Sequence, residues 1–283
     1  MRARILDGKV VAQAVKEEVA KAVADLDFQP GLATVLVGDD PASHSYVRGK
    51  RRDAEQVGIE SVHHELSASI EQETLFSLVE TLNEDEGVDG ILVQLPLPGD
   101  LDEEATVERI DPAKDVDGLH PFNLGKLMLG QSGLRPCTPT GVVRILDHYG
   151  IDTDGARAVI VGRSFLVGRP LAMILSERGV DSTVSVAHSR TADLATVTRE
   201  ADILVAAAGS PGLIGPHHVK PGATVIDVGV NRTDEGLVGD VDFDAVAEVA
   251  GAITPVPGGV GPMTRAMLLV NTLRAAKARR ASN

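Results

Sequence analysis

Apolar and polar positions follow two rhythms along the chain. Val11, Val15, Ala22 and Leu26 recur about every four residues, which predicts an amphipathic helix over residues 9–26. Leu32–Val37 is a continuous apolar run rich in β-branched residues, the pattern of a strand buried on both faces. Asp40-Pro41 places a side-chain acceptor before a proline suited to the first helical position, so a helix is predicted from there to about Val57. A strand over 61–66, a helix over 71–86, a strand over Gly90–Leu95 stopped by Pro96 and a shorter helix over 102–110 follow. Residues 111–122 (DPAKDVDGLHPF) read as a loop by composition, and a helix runs from Pro139 to about Tyr149, before Gly150.

A second cycle then begins. Strands are predicted at Ala158–Val161, 183–187, Ile203–Ala207 and Val225–Val228, with helices at 167–178 and 191–199. A last helix covers 264–280, where Met267, Val270, Leu273 and Arg274 stand at helical spacing. Apolar strands alternating with helices imply two α/β domains built on parallel sheets. The 283 residues suffice for two cores, with a boundary near residues 138–150.

Composition removes several function classes. Lys and Arg total 27 against 41 Asp and Glu, a net charge of −14, with no basic block beyond Arg51-Arg52 and Arg279-Arg280. A nucleic-acid partner needs a basic footprint, and none is expected here. Aromatic residues are 2% with no Trp, too few for stacking platforms. No apolar stretch approaches the roughly 18 residues of a membrane span, and Met1–Asp7 carries no apolar run of a secretory signal. The single cysteine, Cys137, excludes an intramolecular disulfide and a multi-cysteine metal site, so no metal is expected. A cytoplasmic enzyme is the resulting expectation. Eight Lys against 19 Arg, and 24 Asp against 17 Glu, fit either a salt-adapted cytosol or a simply acidic protein.

Six segments carry candidate chemistry. A buried strand runs into Gly162, followed by Arg163 and Ser164, with a helix opening near Val167 and Gly168. Backbone N–H groups at such a helix start favour a pyrophosphate, although one glycine at a strand end also makes a plain tight turn. After the 183–187 strand come His188, Ser189, Arg190 and Thr191, where an NAD-preferring domain would carry a carboxylate. Ser189 and Arg190, with Arg163, instead favour the 2′-phosphate of NADP. Ser189 or Thr191 would also cap the next helix, and His188 reads as structural. Tyr46 and Lys50 stand at i and i+4 on one helix face, as a proton-moving pair or as a solvated face. Gln94-Leu95 ends a buried strand, Asp115 and Asp117 lie in the long loop, and Pro255–Pro262 is dense enough in Gly and Pro to shape a pocket wall.

Together the segments GDDPAS-x-x-Y-x-x-x-K, DGILVQLPLP, KDVDG, PCTP-x-G, GRS-x-x-VG-x-P, GDV and PVPGGVGPMT, in this order over residues 5–275, resemble the bifunctional methylenetetrahydrofolate dehydrogenase/methenyltetrahydrofolate cyclohydrolase (FolD) family. The resemblance implies a folate-binding catalytic domain (residues 1–140 plus 264–283) and a Rossmann-like, doubly wound NADP-binding domain (141–263). The active site would lie in the cleft between them. It implies NADP-dependent oxidation of 5,10-methylenetetrahydrofolate and hydrolysis of the methenyl product to 10-formyltetrahydrofolate. It further implies a homodimer serving one-carbon metabolism, with purine, methionine and histidine biosynthesis downstream. By the same resemblance Tyr46 stacks on the folate, Lys50 is the catalytic lysine, Gln94 orients it, and Asp117 bonds the pterin ring. Leu95, Pro257, Gly258 and Gly259 line the substrate site. Gly162, Arg163, Ser164, Val167, Gly168, Ser189, Arg190 and Val230 bind the cofactor. His44 and Gly49 fall at positions read as variable. A single-activity family member remains an alternative. So does a short-chain-type NADP dehydrogenase, but there the Tyr-x-x-x-Lys pair follows the cofactor turn, whereas here it precedes Gly162 by over a hundred residues.

Overall fold

The computed structural model describes residues 2–234 and 236–281. The chain divides into two compact units, Met1–Ala12 with Thr138–Thr264, and Gln13–Cys137 with Arg265–Asn283.

In the second of these, β2 (Gly31–Val37) is flanked by β3 (Glu60–Leu66) and β4 (Gly90–Val93) in a parallel three-stranded sheet of order β3-β2-β4. Every residue of β2 is buried, as its continuous apolar run requires. The helices of this unit are α2 (Pro41–Gln56), α3 (Gln72–Glu84), α4 (Glu103–Arg109) and α5 (Pro121–Met128). The longer α1 (Gly8–Ala24) and α10 (Val260–Ala281) contribute most of their lengths to it. Leu75, Val79 and Leu82 of α3 pack on Ala33, Val35 and Val37 of β2 and on Ile91 and Val93 of β4. Asp40 starts α2 as the sequence indicates: its Oδ2 accepts from the Ser43 N–H and hydroxyl, both at 2.8 Å. A cap of this kind contributes about 1 kcal/mol. The buried face of α2 carries Ser43, Val47, Lys50 and Ala54, so its helical period turns a lysine inward.

The other unit is a six-stranded sheet of order β1-β11-β8-β7-β5-β6, with every pairing parallel. Its strands are β1 (Arg4–Ile5), β5 (Arg157–Val161), β6 (Thr183–Ala187), β7 (Ile203–Ala206), β8 (Thr224–Asp227) and β11 (Ala252–Ile253). Its helices are α6 (Cys137–His148), α7 (Gly168–Leu175), α8 (Leu194–Thr198) and α9 (Phe243–Ala247). From β5 the chain goes outward to β6, then crosses back to β7 and β8 on the other side. The C-terminal ends of the strands at such a reversal are where open α/β sheets bind ligands.

Several expectations need correction. The first twelve residues belong to the six-stranded unit, because Arg4 and Ile5 pair with Ala252 and Ile253. The compact units accordingly divide after residues 12, 137 and 264. The helix predicted at 191–199 covers only Leu194–Thr198, and Asp193 caps it instead of Ser189 or Thr191: Asp193 Oδ1 accepts from Thr196 N at 3.2 Å. The last helix begins at Val260, four residues early, with Pro262 in its first turn, where a missing N–H costs nothing. The α5 helix and an antiparallel hairpin, β9 (Asn231–Thr233) with β10 (Gly236–Val238), have no counterpart in the pattern reading.

Candidate functional site

Lys50 is almost fully buried, at 3% exposure. Its Nζ donates to Gln94 Oε1 at 3.0 Å and lies 4.6 Å from the centroid of the Tyr46 ring, within cation–π range. Gln94 sits just past β4 and still joins the ladder, its N–H donating to Val35 O at 2.9 Å. The Gln94 Nε2 donates to Leu95 O at 2.5 Å, so the amide is turned with its oxygen toward the lysine. Helix α2 and the end of β4 together hold these three side chains.

Asp117 is positioned by the loop that follows α4. That loop runs beside β4, where Ile91 N donates to Lys114 O at 2.8 Å. Asp115 folds the turn from inside, accepting from Gly118 N at 3.1 Å, His120 N at 2.8 Å and Asn123 Nδ2 at 2.9 Å. Burial pushes the Asp115 carboxyl up, against those donors. The two aspartates of the DVD segment thus divide labour, Asp115 shaping the loop and Asp117 facing the lysine's surroundings.

Burial holds the Lys50 ammonium below its ordinary range. The Asp117 charge acts in the opposite direction, and the Arg265 guanidinium adds to the lowering. Arg265 is itself tied to Asp53, Nε to Oδ2 at 3.1 Å, and Lys16 Nζ lies 3.4 Å from the other Asp53 oxygen. A Cβ at Gly49 would meet the end of the Arg265 side chain, which would have to move aside. Cys137 is buried, its thiol donating to Val116 O at 3.2 Å, and burial followed by the Asp117 charge pushes that thiol well up. It is neutral at physiological pH and no nucleophile.

In the six-stranded unit, β5 runs into Gly162, which adopts φ +133° and whose missing Cβ would overlap the Ala207 carbonyl. Only glycine fits there. Gly168 packs on the Gly162 carbonyl and opens α7, with Val167 at the cap position and Ser164 Oγ accepting from Val167 N at 3.2 Å. Arg163 and Ser164 are exposed. At the end of β6, His188 is structural as expected. Its Nδ1 accepts from Arg190 N at 3.1 Å, and its N–H donates to Thr191 Oγ1 at 2.9 Å. Ser189 and Arg190 are exposed on that turn. Val230, past the end of β8, is 61% exposed, unusual for a valine.

The sequence-predicted residues therefore form two groups, one in each unit. Tyr46, Lys50, Gln94, Leu95 and Asp117 form the first. The stretch from Gly162 to Gly168, with Ser189, Arg190 and Val230, shares the C-terminal edge of the larger sheet. Pro257, Gly258 and Gly259 lie in that unit too, on the connection from β11 into α10, and Gly258 adopts φ +112° beside the Lys9 stem. Sequence reasoning gave no role to Asp53, Cys137 or Arg265. Asp53 stands three residues after Lys50, and Cys137 lies inside a motif already noted; nothing in the sequence marks Arg265 as a neighbour of Lys50.

Two family models match the chain. Residues 6–117 match the family model for the tetrahydrofolate dehydrogenase/cyclohydrolase catalytic domain, and residues 136–280 the model for its NAD(P)-binding domain. The chain is 56% identical over 282 residues to the bifunctional protein FolD 2 of Frankia alni, covering 98% of this chain and 97% of that one. The FolD methylenetetrahydrofolate dehydrogenase/cyclohydrolase of Campylobacter jejuni superposes with a TM-score of 0.94 at 48% identity, over 98% of this chain and 99% of that one. The Trypanosoma brucei enzyme, solved with NADP cofactor and an inhibitor, gives 0.94 at 41% identity, over 99% of both chains. This chain belongs to the tetrahydrofolate dehydrogenase/cyclohydrolase family.

Proposed function

We propose that this chain oxidises 5,10-methylenetetrahydrofolate to the 5,10-methenyl cation with NADP and hydrolyses that cation to 10-formyltetrahydrofolate. The observation that carries the reading is the buried Lys50 amine, held between an aromatic ring and a carboxamide and weakened as a base by burial. Hydride removal from a one-carbon bridge needs alignment above all. Hydrolysis of the resulting cation needs a group that gives up and takes back a proton near neutral pH.

The larger sheet fits NADP. Two exposed arginines, Arg163 and Arg190, stand at the ends of β5 and β6, Ser189 adds a hydroxyl, and residues 188–191 hold no carboxylate to repel a 2′-phosphate. The Gly162 turn and the start of α7, from Val167 to Gly168, present backbone N–H groups suited to the pyrophosphate. NADP, when bound, accepts the hydride. Val230 lies on the half of the sheet edge left for the nicotinamide.

In the other unit, the Tyr46 ring offers a face for the folate, and the Asp117 carboxylate an acceptor for its pterin N–H groups. Leu95 borders the same site; Pro257, Gly258 and Gly259, in the larger unit, are proposed substrate contacts on the family resemblance alone. During hydrolysis the oxygen of water bonds to the methenyl carbon and one of its protons passes to Lys50 Nζ, then to solvent. The hydroxyl adduct then opens: the carbon–N5 bond breaks, the hydroxyl proton reaches N5 by way of the same amine, and the formyl group remains on N10. Gln94 keeps the Nζ aimed, since its own amide is anchored on Leu95 O.

The same reading carries a cytoplasmic homodimer in one-carbon metabolism, supported by the family resemblance; sedimentation would measure the assembly. Purified protein given methylenetetrahydrofolate and NADP tests the activity. Methenyl absorbance should rise and then decay to the formyl product, with one NADPH formed per folate. No NADPH formation would overturn the proposal.

A further inference from the structure

Two buried carboxylates stand beneath the loops that follow β7 and β8. Asp240 has no solvent exposure. Its Oδ2 accepts from Ala208 N at 2.6 Å and Gly209 N at 2.9 Å, and its Oδ1 from Ser210 N at 2.8 Å and Asn231 Nδ2 at 2.8 Å. Its charge is met by four neutral donors. Asp227, the last residue of β8, holds Asp240 in turn: Asp227 Oδ1 accepts from Asp240 N at 3.0 Å and Gly229 N at 2.9 Å, and Oδ2 from Val241 N at 3.0 Å. The Asp227 N–H donates to Thr254 Oγ1 at 2.8 Å.

A buried carboxylate costs several kcal/mol of desolvation, which its hydrogen bonds must offset. Such an arrangement needs an explanation beyond packing, and its location supplies one. Three successive amides, Ala208 to Ser210, converge on Asp240, which fixes the trace of a segment with no ladder of its own. Val230 is flanked by Gly229, tied to Asp227, and by Asn231, tied to Asp240. Its exposed side chain is therefore held from both sides. Side chains at Gly229 or Gly239 would collide with the Asp240 and Asp227 carboxylates, so the close approach is built into the backbone.

The sheet topology says what these loops face. Strand order reverses about β5. The Gly162 turn takes the phosphates, and Arg163, Ser189 and Arg190 lie toward β6. The other half of a dinucleotide then lies over the ends of β7 and β8.

We infer that Asp240 is a positioning residue, which holds the 208–210 and 229–231 loops in the shape that receives the nicotinamide half of NADP. The inference rests on the function proposed above. Asp240 touches no reacting atom and acts through the backbone it orders.

Asp240→Asn tests it, because the amide keeps the shape but turns an NH2 against a backbone N–H. With NADP varied, KM for NADP should rise by about tenfold or more, the scale of losing hydrogen bonds to a charged group. The dehydrogenase kcat at saturating NADP should stay within about threefold, because the loops still form once the cofactor orders them. Hydrolysis of supplied methenyltetrahydrofolate without NADP should stay within about twofold, which a general loss of folding would not allow. An unchanged KM for NADP overturns the inference, and so does a hydrolysis rate that falls in step, which would make Asp240 structural. If Asp240→Asn does not fold, Asn231→Ala decides: it removes one tie and should raise KM by about threefold, and an unchanged KM there overturns the inference. A wild-type protein without NADP-dependent turnover would instead overturn the proposed function.

Discussion

A lysine that works as a base near neutral pH must lose its proton without leaving its pocket. Lys50 is buried on the inward face of α2, with Arg265 nearby and Asp117 opposing. The Arg265 charge gives a signed prediction. Arg265→Met removes a cation that lowers the Lys50 proton affinity, so that affinity rises. The rising limb of the hydrolysis pH profile should therefore move to higher pH; an unmoved limb, or one moved downward, would detach Arg265 from this role. Arg163 gives a second prediction, since its guanidinium is placed for a charge-assisted bond to a 2′-phosphate. Arg163→Ala should weaken NADP by about tenfold more than NAD, the scale of a hydrogen bond to a charged group, in parallel KM measurements. Equal losses would remove it from cofactor choice. At this scale the sequence was legible where spacing encodes contact. Tyr46 and Lys50 share a face because they are one turn apart, and Gln94 meets them because it ends a strand beside that helix. Arg265 was not legible, because 215 residues separate it from Lys50 and only tertiary folding brings them together.

At the scale of elements, legibility followed length and burial. β2, α2, β4 and β5 stand within about two residues of their predicted limits, because each carries a long apolar run or an explicit cap. β1 and β11 have two residues each, too few for any period, yet their pairing moves the N-terminus into the larger unit. The cap of α8 departs from the sequence expectation for a local reason. Ser189 and Thr191 are good capping residues, but Thr191 Oγ1 accepts from His188 N within the preceding turn, Ser189 lies a further two residues away, and the helix starts at Asp193. α5 carried a usable signal, Pro121 in its first turn and His120 accepting from Phe122 N at 3.0 Å, which the loop composition of the preceding residues obscured. Asp240 lay in a quoted motif, but a carboxylate held by three backbone amides leaves no mark in sequence.

The molecule as a whole carries a net charge of −14. Self-repulsion of that size is screened as the Debye length shrinks to about 3 Å at 1 M salt. The melting temperature should rise with KCl toward molar concentrations, and a maximum at low salt would remove the salt-adapted reading while leaving the enzymology intact. The central claim is that one chain runs two reactions, with the proton chemistry assigned to the unit that holds Lys50. Lys50→Met keeps the stem and deletes the amine. Measured on both activities, it should lose hydrolysis by about 100-fold or more, the scale of a general acid–base group. It should lose less of the NADP-dependent oxidation, so that the methenyl product accumulates. Equal loss of both activities, or loss of neither, would contradict the account.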